Sequence, residues 1–183
     1  MRLKPGEQVR DFSAKDVNGN PISVKSLSGK KWMLSFYRYA GCPLCNFRVH
    51  ELLKEYDEWQ NDGFTMISVF ESDTDSINQR VGKEPKPFSI IADPDRNLYK
   101  LYGVESSWWK FIKGGLPIMK SMLHGFFPGK MEGDKAIIPA DFLINEEGII
   151  THTHYGHHIG DHIPIRRIQK FIKNGNGEHR EQL

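Results

Sequence analysis

One stretch constrains this 183-residue chain more than any other: Trp32 to Glu51, where an apolar run meets the only two cysteines, Cys42 and Cys45. Trp32 to Tyr37 reads as a buried strand, because it is apolar over strand length and ends in a short loop. Pro43 stands where a helix would start, and proline is tolerated there because its N–H would be unpaired anyway. Cys45, Val49, Leu52 and Tyr56 then recur at helical spacing, which turns Cys45 toward the core and leaves Cys42 exposed at the helix mouth.

That placement has a chemical consequence. A helix N-terminus offers free N–H groups and partial positive charge, so it favours an anion such as a thiolate at Cys42. Cys45, one turn on, is placed to close a disulfide with it, and thiols in such motifs have pKa values lowered from roughly 8.5 to about 3.5–7.5. A fall of about 2.5 units needs about 3.4 kcal/mol. The helix end supplies only about 0.3–1 kcal/mol, ~2 at most. Arg38 and a hydrogen bond from the Cys45 thiol are the nearest further contributors. A zinc half-site and a pair of inert core cysteines are the competing readings. A zinc site normally needs a second ligand pair, which within one chain only histidines could supply, so the redox dithiol is preferred.

Size and charge narrow the field. The chain is long enough for one domain with a full core and short for two. With 25 basic and 23 acidic residues the net charge is +2, which gives no reason to expect nucleic acid. No run approaches the ~20 apolar residues of a membrane span, and the N-terminal residues lack the apolar stretch of a secretory signal. Two cysteines without such a signal point to a cytoplasmic protein whose dithiol cycles.

In chain order, Asn18-Gly19 between two short alternating stretches predicts an N-terminal β-hairpin. Asn61 to Gly63 stops the cysteine helix, and Phe64 to Phe70 is a second buried strand. Ser72 to Val81 suggests a short helix capped by Ser72 or Asp73. Phe88 to Ala92 is a third strand, and Arg96 to Tyr102 a helix with Leu98, Leu101 and Tyr102 inward. Ala140 to Asn145 and Ile149 to Tyr155 bracket a second hairpin. Ile163 to Ile172 is a closing helix, and 174–183 reads as a flexible tail. This order describes an α/β fold, a mixed central sheet with helices on both faces.

Asp11-Phe12, Asn18-Gly19, Gly29-Lys30, Leu34 to Phe36, Asp93-Pro94-Asp95, Tyr102-Gly103-Val104 and Pro139 to Gly148 together resemble the redoxins of the alkyl hydroperoxide reductase/thiol-specific antioxidant family. The resemblance runs over most of residues 6–172, apart from an insertion at about 104–136, and implies a single thioredoxin-like domain over 1–183. The departures from the pattern are informative. Peroxiredoxins carry a proline, a threonine three residues before the peroxidatic cysteine, and an arginine entering a late strand; those places fall here on Arg38, Cys42, Cys45 and Pro139. Thioredoxin-type oxidoreductases instead have two cysteines at this spacing and a cis-proline before the late strand, which fits Cys42, Cys45 and Pro139. The two alignments disagree about which cysteine attacks; the helix-mouth position favours Cys42.

The resemblance implies a peroxiredoxin-like antioxidant enzyme that reduces hydroperoxides through a Cys42/Cys45 dithiol–disulfide cycle. It needs no cofactor and is recharged by a thioredoxin- or glutathione-type thiol reductant. The alternative is a thioredoxin-like protein disulfide reductase. Lowering a thiol pKa from ~8.5 to ~6 raises the thiolate fraction about 30-fold but costs about 10–18-fold in nucleophilicity. Fast peroxide cleavage therefore requires donors aimed at the peroxide oxygens. The family's threonine and arginine are absent from their places, and Arg38 and Arg48 are the available substitutes.

Two stretches stand outside this pattern. His152, His154, His157, His158 and His162 crowd one region; imidazoles at that density suit zinc, copper or nickel or proton transfer near neutral pH, and otherwise form an exposed polar loop. A histidine-rich metal-binding protein is the reading from another class. In the insertion, Gly114-Gly115 separates two short helices and Pro117 can open the second. Ile118, Met119, Met122, Leu123 and Phe126 make an apolar stripe beside Lys110, Lys113, Lys120 and Lys130. The stripe is read as core packing, with a lid over the cysteines, a homodimer interface or a membrane-surface helix as alternatives.

Overall fold

The computed structural model describes residues 1–112, 119, 121–129, 133, 134 and 136–173. Gly114-Gly115, Pro117, Ile118, Lys113, Lys120, Lys130 and the tail 174–183 lie outside the described residues.

The hairpin signal at Asn18-Gly19 closes β1 (Ser13–Lys15) on β2 (Pro21–Ser23) as a separate antiparallel pair. Asp16 holds the turn, its carboxylate accepting the backbone N–H groups of Asn18 and Asn20. β3 (Trp32–Phe36) is buried at all five positions. It is the middle of a five-stranded sheet and pairs parallel with β4 (Thr65–Phe70) and antiparallel with β6 (Ala140–Ile144). A strand covered on both faces needs apolar residues on both, which is why it reads as a run rather than an alternation. β5 (Ser89–Ala92) lies outside β4, and β7 (Ile150–Tyr155) outside β6, giving the order β5-β4-β3-β6-β7.

The pleat sorts the core into two layers. Met33 and Tyr37 face α1 (Pro43–Asn61) and the closing helix α5 (Ile165–Lys173), packing with Cys45, Val49, Leu52, Tyr56, Ile168 and Phe171. Trp32, Leu34 and Phe36 face the opposite side, with Phe12, Tyr99, Tyr102 and Phe142. There the aromatic rings meet edge-on: Phe36 and Tyr99 have centroids 5.0 Å apart. This is the thioredoxin-like arrangement, with helices on both faces.

α2 (Thr74–Gln79) is shorter than the Ser72 to Val81 expectation, and its cap is Asp73, whose carboxylate accepts the Ser76 N–H at 2.7 Å. α3 (Asn97–Leu101) departs in phase. Tyr99 and Tyr102 are buried and Leu98 is partly covered, but Leu101, expected inward, is 41% exposed. Arg96 takes the left-handed conformation (φ 58°), and Asp93 accepts the N–H groups of Asn97 and Leu98, so the helix begins in an orientation that local spacing does not give. α4 (Trp108–Ile112) opens the insertion. The stripe is not core: Met119, Met122 and Leu123 are exposed, and Phe126 is half-buried. No helix among the described residues is long and apolar enough to cross a membrane.

Candidate active site

β3 hands its chain to the cysteine loop in small steps. The Tyr37 N–H still bonds Val69, and the Arg38 carbonyl accepts the Glu71 N–H, so the backbone stays attached to β4 and its first following residue for two residues past the strand. Ala40 donates its N–H to the Ser72 hydroxyl at 2.9 Å. The Asn46 side-chain amide donates to the carbonyls of Ala40 and Cys42, both at 2.8 Å, and ties the loop to the first turn of α1. Cys42 is the N-cap residue, with extended backbone (φ −73°, ψ 118°) and Pro43 behind it. The helix therefore opens where proline makes it cheapest to open.

Both sulfurs are free thiols and fully buried. For Cys45 the expected inward placement holds. For Cys42 it is a correction: the helix mouth expected to be exposed is buried, and residues of the insertion pack against the loop and the first turns of α1 beside it. Gly129 donates its N–H to the Gly41 carbonyl at 2.9 Å. Phe126 packs against Phe47 and His50 of α1, and His124 lies 4.8 Å from Phe47, centroid to centroid.

The electrostatics separate the two cysteines. Burial pushes the Cys42 thiol up, but a hydrogen bond from the Cys45 thiol, the Arg38 charge and the N–H groups of Cys45 and Leu44 outweigh it, and its pKa falls to about 7. No side chain closes a full cap bond at this helix end, so those two N–H groups are left pointing toward the sulfur. Cys45 goes the other way: burial, the bond it donates to Cys42 and the charge there raise its pKa well above that of a free thiol. Arg38 is buried, with Nη1 3.5 Å from the Cys42 sulfur and its guanidinium over the rings of Tyr39 and Phe111. Burial, then the neighbouring Cys42, pushes the Tyr39 phenol up to about 12, so it stays neutral beside the thiolate. The site can hold an anionic sulfur and a protonated one side by side near neutral pH.

The other residues singled out from the sequence lie elsewhere or differ in geometry. Arg48 is buried, but its guanidinium donates to the Ile163 carbonyl and sits 3.7 Å from Glu51. Pro139 is buried before β6 and its carbonyl accepts the Gly156 N–H. No peptide bond among the described residues is cis, so the expectation of a thioredoxin-style cis-proline at Pro139 is not met.

The histidines do not converge. His154 and His157 share the Asp161 carboxylate at 3.1 and 3.0 Å, His162 bonds Asp141 at 3.1 Å, and His152 lies edge-on to Phe171. The His158 ring accepts the Gly160 N–H. No group of three or more potential ligands is poised around a metal position among the described residues.

Two carboxylates that sequence reading passed over matter here. Asp141, fully buried, accepts the Ser35 hydroxyl, the His162 ring and the Ile163 N–H. Glu71, just past β4, accepts the Asp134 N–H on both oxygens at 2.9 Å and lies 3.5 Å from Arg96 Nε. The one available signal for Glu71 is its position: a polar residue at the C-terminal end of a parallel strand, where α/β sheets place their sites.

The AhpC/TSA family model matches residues 5–153. The chain belongs to that family. Among curated relatives, the peroxiredoxin bcp of Helicobacter pylori is 25% identical over 157 residues, covering 84% of this chain and 89% of that one. The thiol-disulfide oxidoreductase ResA of Halalkalibacterium halodurans is also 25% identical, over 154 residues, 84% of this chain and 69% of that one. PrxQ from Xylella fastidiosa superposes with a TM-score of 0.68 at 13% identity, covering 94% and 96% of the two chains, which shows the shared fold.

Proposed function

We propose that this AhpC/TSA protein is a thiol-dependent peroxidase in which Cys42 attacks the hydroperoxide and Cys45 resolves the product. The observation that carries the reading is the Cys42 sulfur itself, lowered to about 7 and facing the Arg38 guanidinium at 3.5 Å. The Cys42 thiolate attacks the distal peroxide oxygen, an S–O bond forms as the O–O bond breaks, and the alkoxide or hydroxide leaves and takes a proton from solvent to become alcohol or water; the sulfur is now a sulfenic acid. Arg38 is placed to stabilise charge on the departing oxygen, the task for which positioned cations matter most. Cys45 loses its proton and attacks that sulfur, water leaves, and a Cys42–Cys45 disulfide remains. A thioredoxin-type dithiol, or two glutathione-type thiols, then returns two electrons by thiol–disulfide exchange.

The partner and setting follow from the same reading. Residues 1–183 act as one domain, in a cytoplasm whose thiol pool keeps the pair reducible. The exposed Trp109 and Leu123 offer the surface for a second copy in a homodimer. The disulfide-reductase reading retains one specific support, the Cys-x-x-Cys spacing together with the similarity to ResA.

Stopped-flow mixing of reduced protein with hydrogen peroxide and with an organic hydroperoxide separates the two. The proposal expects consumption at least about a hundredfold faster than a free thiol, since electrostatic donors typically supply that much or more. A free-thiol rate together with fast reduction of a protein disulfide reverses the order of the two readings. After one equivalent of peroxide, intact mass should show one added oxygen on the Cys45→Ser protein and none on the Cys42→Ser protein.

A further inference from the structure

Resting on that reading, we infer that Asn46 is the positioning residue of the dithiol: its side-chain amide holds the Ala40 and Cys42 carbonyls and thereby aims the Cys42 sulfur at the N–H groups that open α1. The amide donates to both carbonyls at 2.8 Å. The Cys42 carbonyl also accepts the Asn46 backbone N–H at 3.1 Å, the first bond of the helix ladder. One residue thus grips the N-cap carbonyl twice and reaches back to the loop before it.

Asparagine is a poorer helix former than alanine or leucine, because its short amide competes for nearby backbone groups. In the first turn of α1 that competition has a use. An N-cap residue ordinarily turns a side-chain acceptor toward the N–H groups of the second and third helical residues. With Cys42 at the cap those residues are Leu44 and Cys45, and the acceptor is sulfur. The sulfur reaches them only if the Cys42 backbone keeps its extended angles. The Cys42 N–H bond to the Tyr39 carbonyl and the two Asn46 amide bonds hold those angles from either side. The amide also satisfies two carbonyl oxygens whose partial negative charge opposes a thiolate beside them. The flanking parts are anchored on their own. Ser72 holds the Ala40 N–H, while Arg48 donates to the Ile163 carbonyl and the Ile163 N–H donates to Asp141 in β6. Asn46 is the join between a loop fixed near the end of β4 and a helix fixed to β6.

The test replaces Asn46 by Ala and by Leu, the second keeping the bulk without the donors. Both are better helix formers than asparagine, so a role confined to helix stability predicts no loss. Arg38, Tyr39 and Cys45 act on the same sulfur, and both variants leave all three in place. Ionisation of Cys42 in reduced full-length protein is followed by thiolate ultraviolet absorbance against pH, which needs no access by a reagent. The unaltered protein should titrate near 7. Both variants should titrate about one pKa unit higher, so that the thiolate fraction at pH 6 falls about ninefold. The rate with hydrogen peroxide at that pH should fall roughly threefold, since a more basic thiolate regains part of the loss in nucleophilicity. Leu52→Ala, which loosens α1 without touching the loop, is the control and should leave the midpoint in place.

Thermal melting identifies the folded variants. A midpoint unmoved in a folded variant overturns the positioning role, as does a Leu52→Ala protein that shifts as far. The unaltered protein supplies a second arm by NMR: the Asn46 side-chain amide protons should exchange slowly, and the Leu44 and Cys45 amide resonances should follow the Cys42 titration. A freely exchanging Asn46 amide overturns the inference whether or not the variants fold. Failure of the peroxidase reading looks different, since the midpoints would move as expected while the unaltered protein consumes peroxide no faster than a free thiol.

Discussion

At the scale of single residues, the two cysteines show how neighbours divide one proton inventory. Identical thiols three positions apart are driven in opposite directions because one faces a guanidinium and a helix end while the other donates to it. Cys42 is an acid, so its anion grows as pH rises through about 7, and alkylation of folded, reduced protein should follow that titration. Arg38→Met removes the cation but keeps bulk over Tyr39. The midpoint should move upward, and labelling at pH 7 should fall about fivefold if about one pKa unit is lost; an unmoved midpoint would dismiss Arg38 as a contributor. The identity of these two groups was legible from spacing, because a helix start and its first turn are local. Their complete burial was not, because nothing in residues 38–48 says that Phe126 and Gly129 will pack against Phe47, His50 and Gly41 beside them.

Among elements, α1 and α3 mark where periodicity works and where it stops. α1 runs 19 residues, about five turns, so the 3.6-residue repeat defines one face and Cys45, Val49, Leu52 and Tyr56 are all buried as that repeat requires. Leu52 is fully buried under the sheet, and Leu52→Ala should cost about 2–5 kcal/mol in chemical denaturation. A loss within the scatter of surface substitutions would mean the packing between α1 and the sheet is looser than described. α3 has five residues, under two turns, and its phase comes instead from the Asp93 carboxylate bonding the first N–H groups. Tyr99 rather than Leu101 then turns inward, its hydroxyl donating to the carbonyls of Tyr37 and Val69. Element existence was readable here; orientation depended on a cap and on backbone carbonyls from other strands.

For the whole molecule, Asp141 joins β3, β6 and the approach to α5. It accepts Ser35 from 106 residues earlier and His162 from 21 residues later. Burial alone would raise the pKa of this carboxyl, but His162, Arg48 and Ser35 outweigh it and take it from 3.8 to about 2. A carboxyl lowered in the folded state adds stability that is fully present above the unfolded value. That stability is lost as pH falls from about 4 toward 2, and it is on the order of 2 kcal/mol. Asp141→Ala should cost more, about 3–5 kcal/mol at neutral pH, because His162 and the Ile163 N–H are left buried without their acceptor. It should also flatten the acid limb of the stability curve. A variant melting like the parent, with that limb unchanged, would reduce Asp141 to a spectator.

By itself the sequence determined the strand runs, the hairpins, the dithiol at a helix mouth and the family pattern, since each is written in neighbours a few residues apart. Only the tertiary structure decided that Cys42 is covered, that Glu71 grips the insertion, that Arg48 turns away to Ile163 and that the histidines disperse onto Asp161 and Asp141. Those outcomes join residues far apart in the chain. They depend on which faces are brought together once the sheet has formed, and local periodicity carries no record of that.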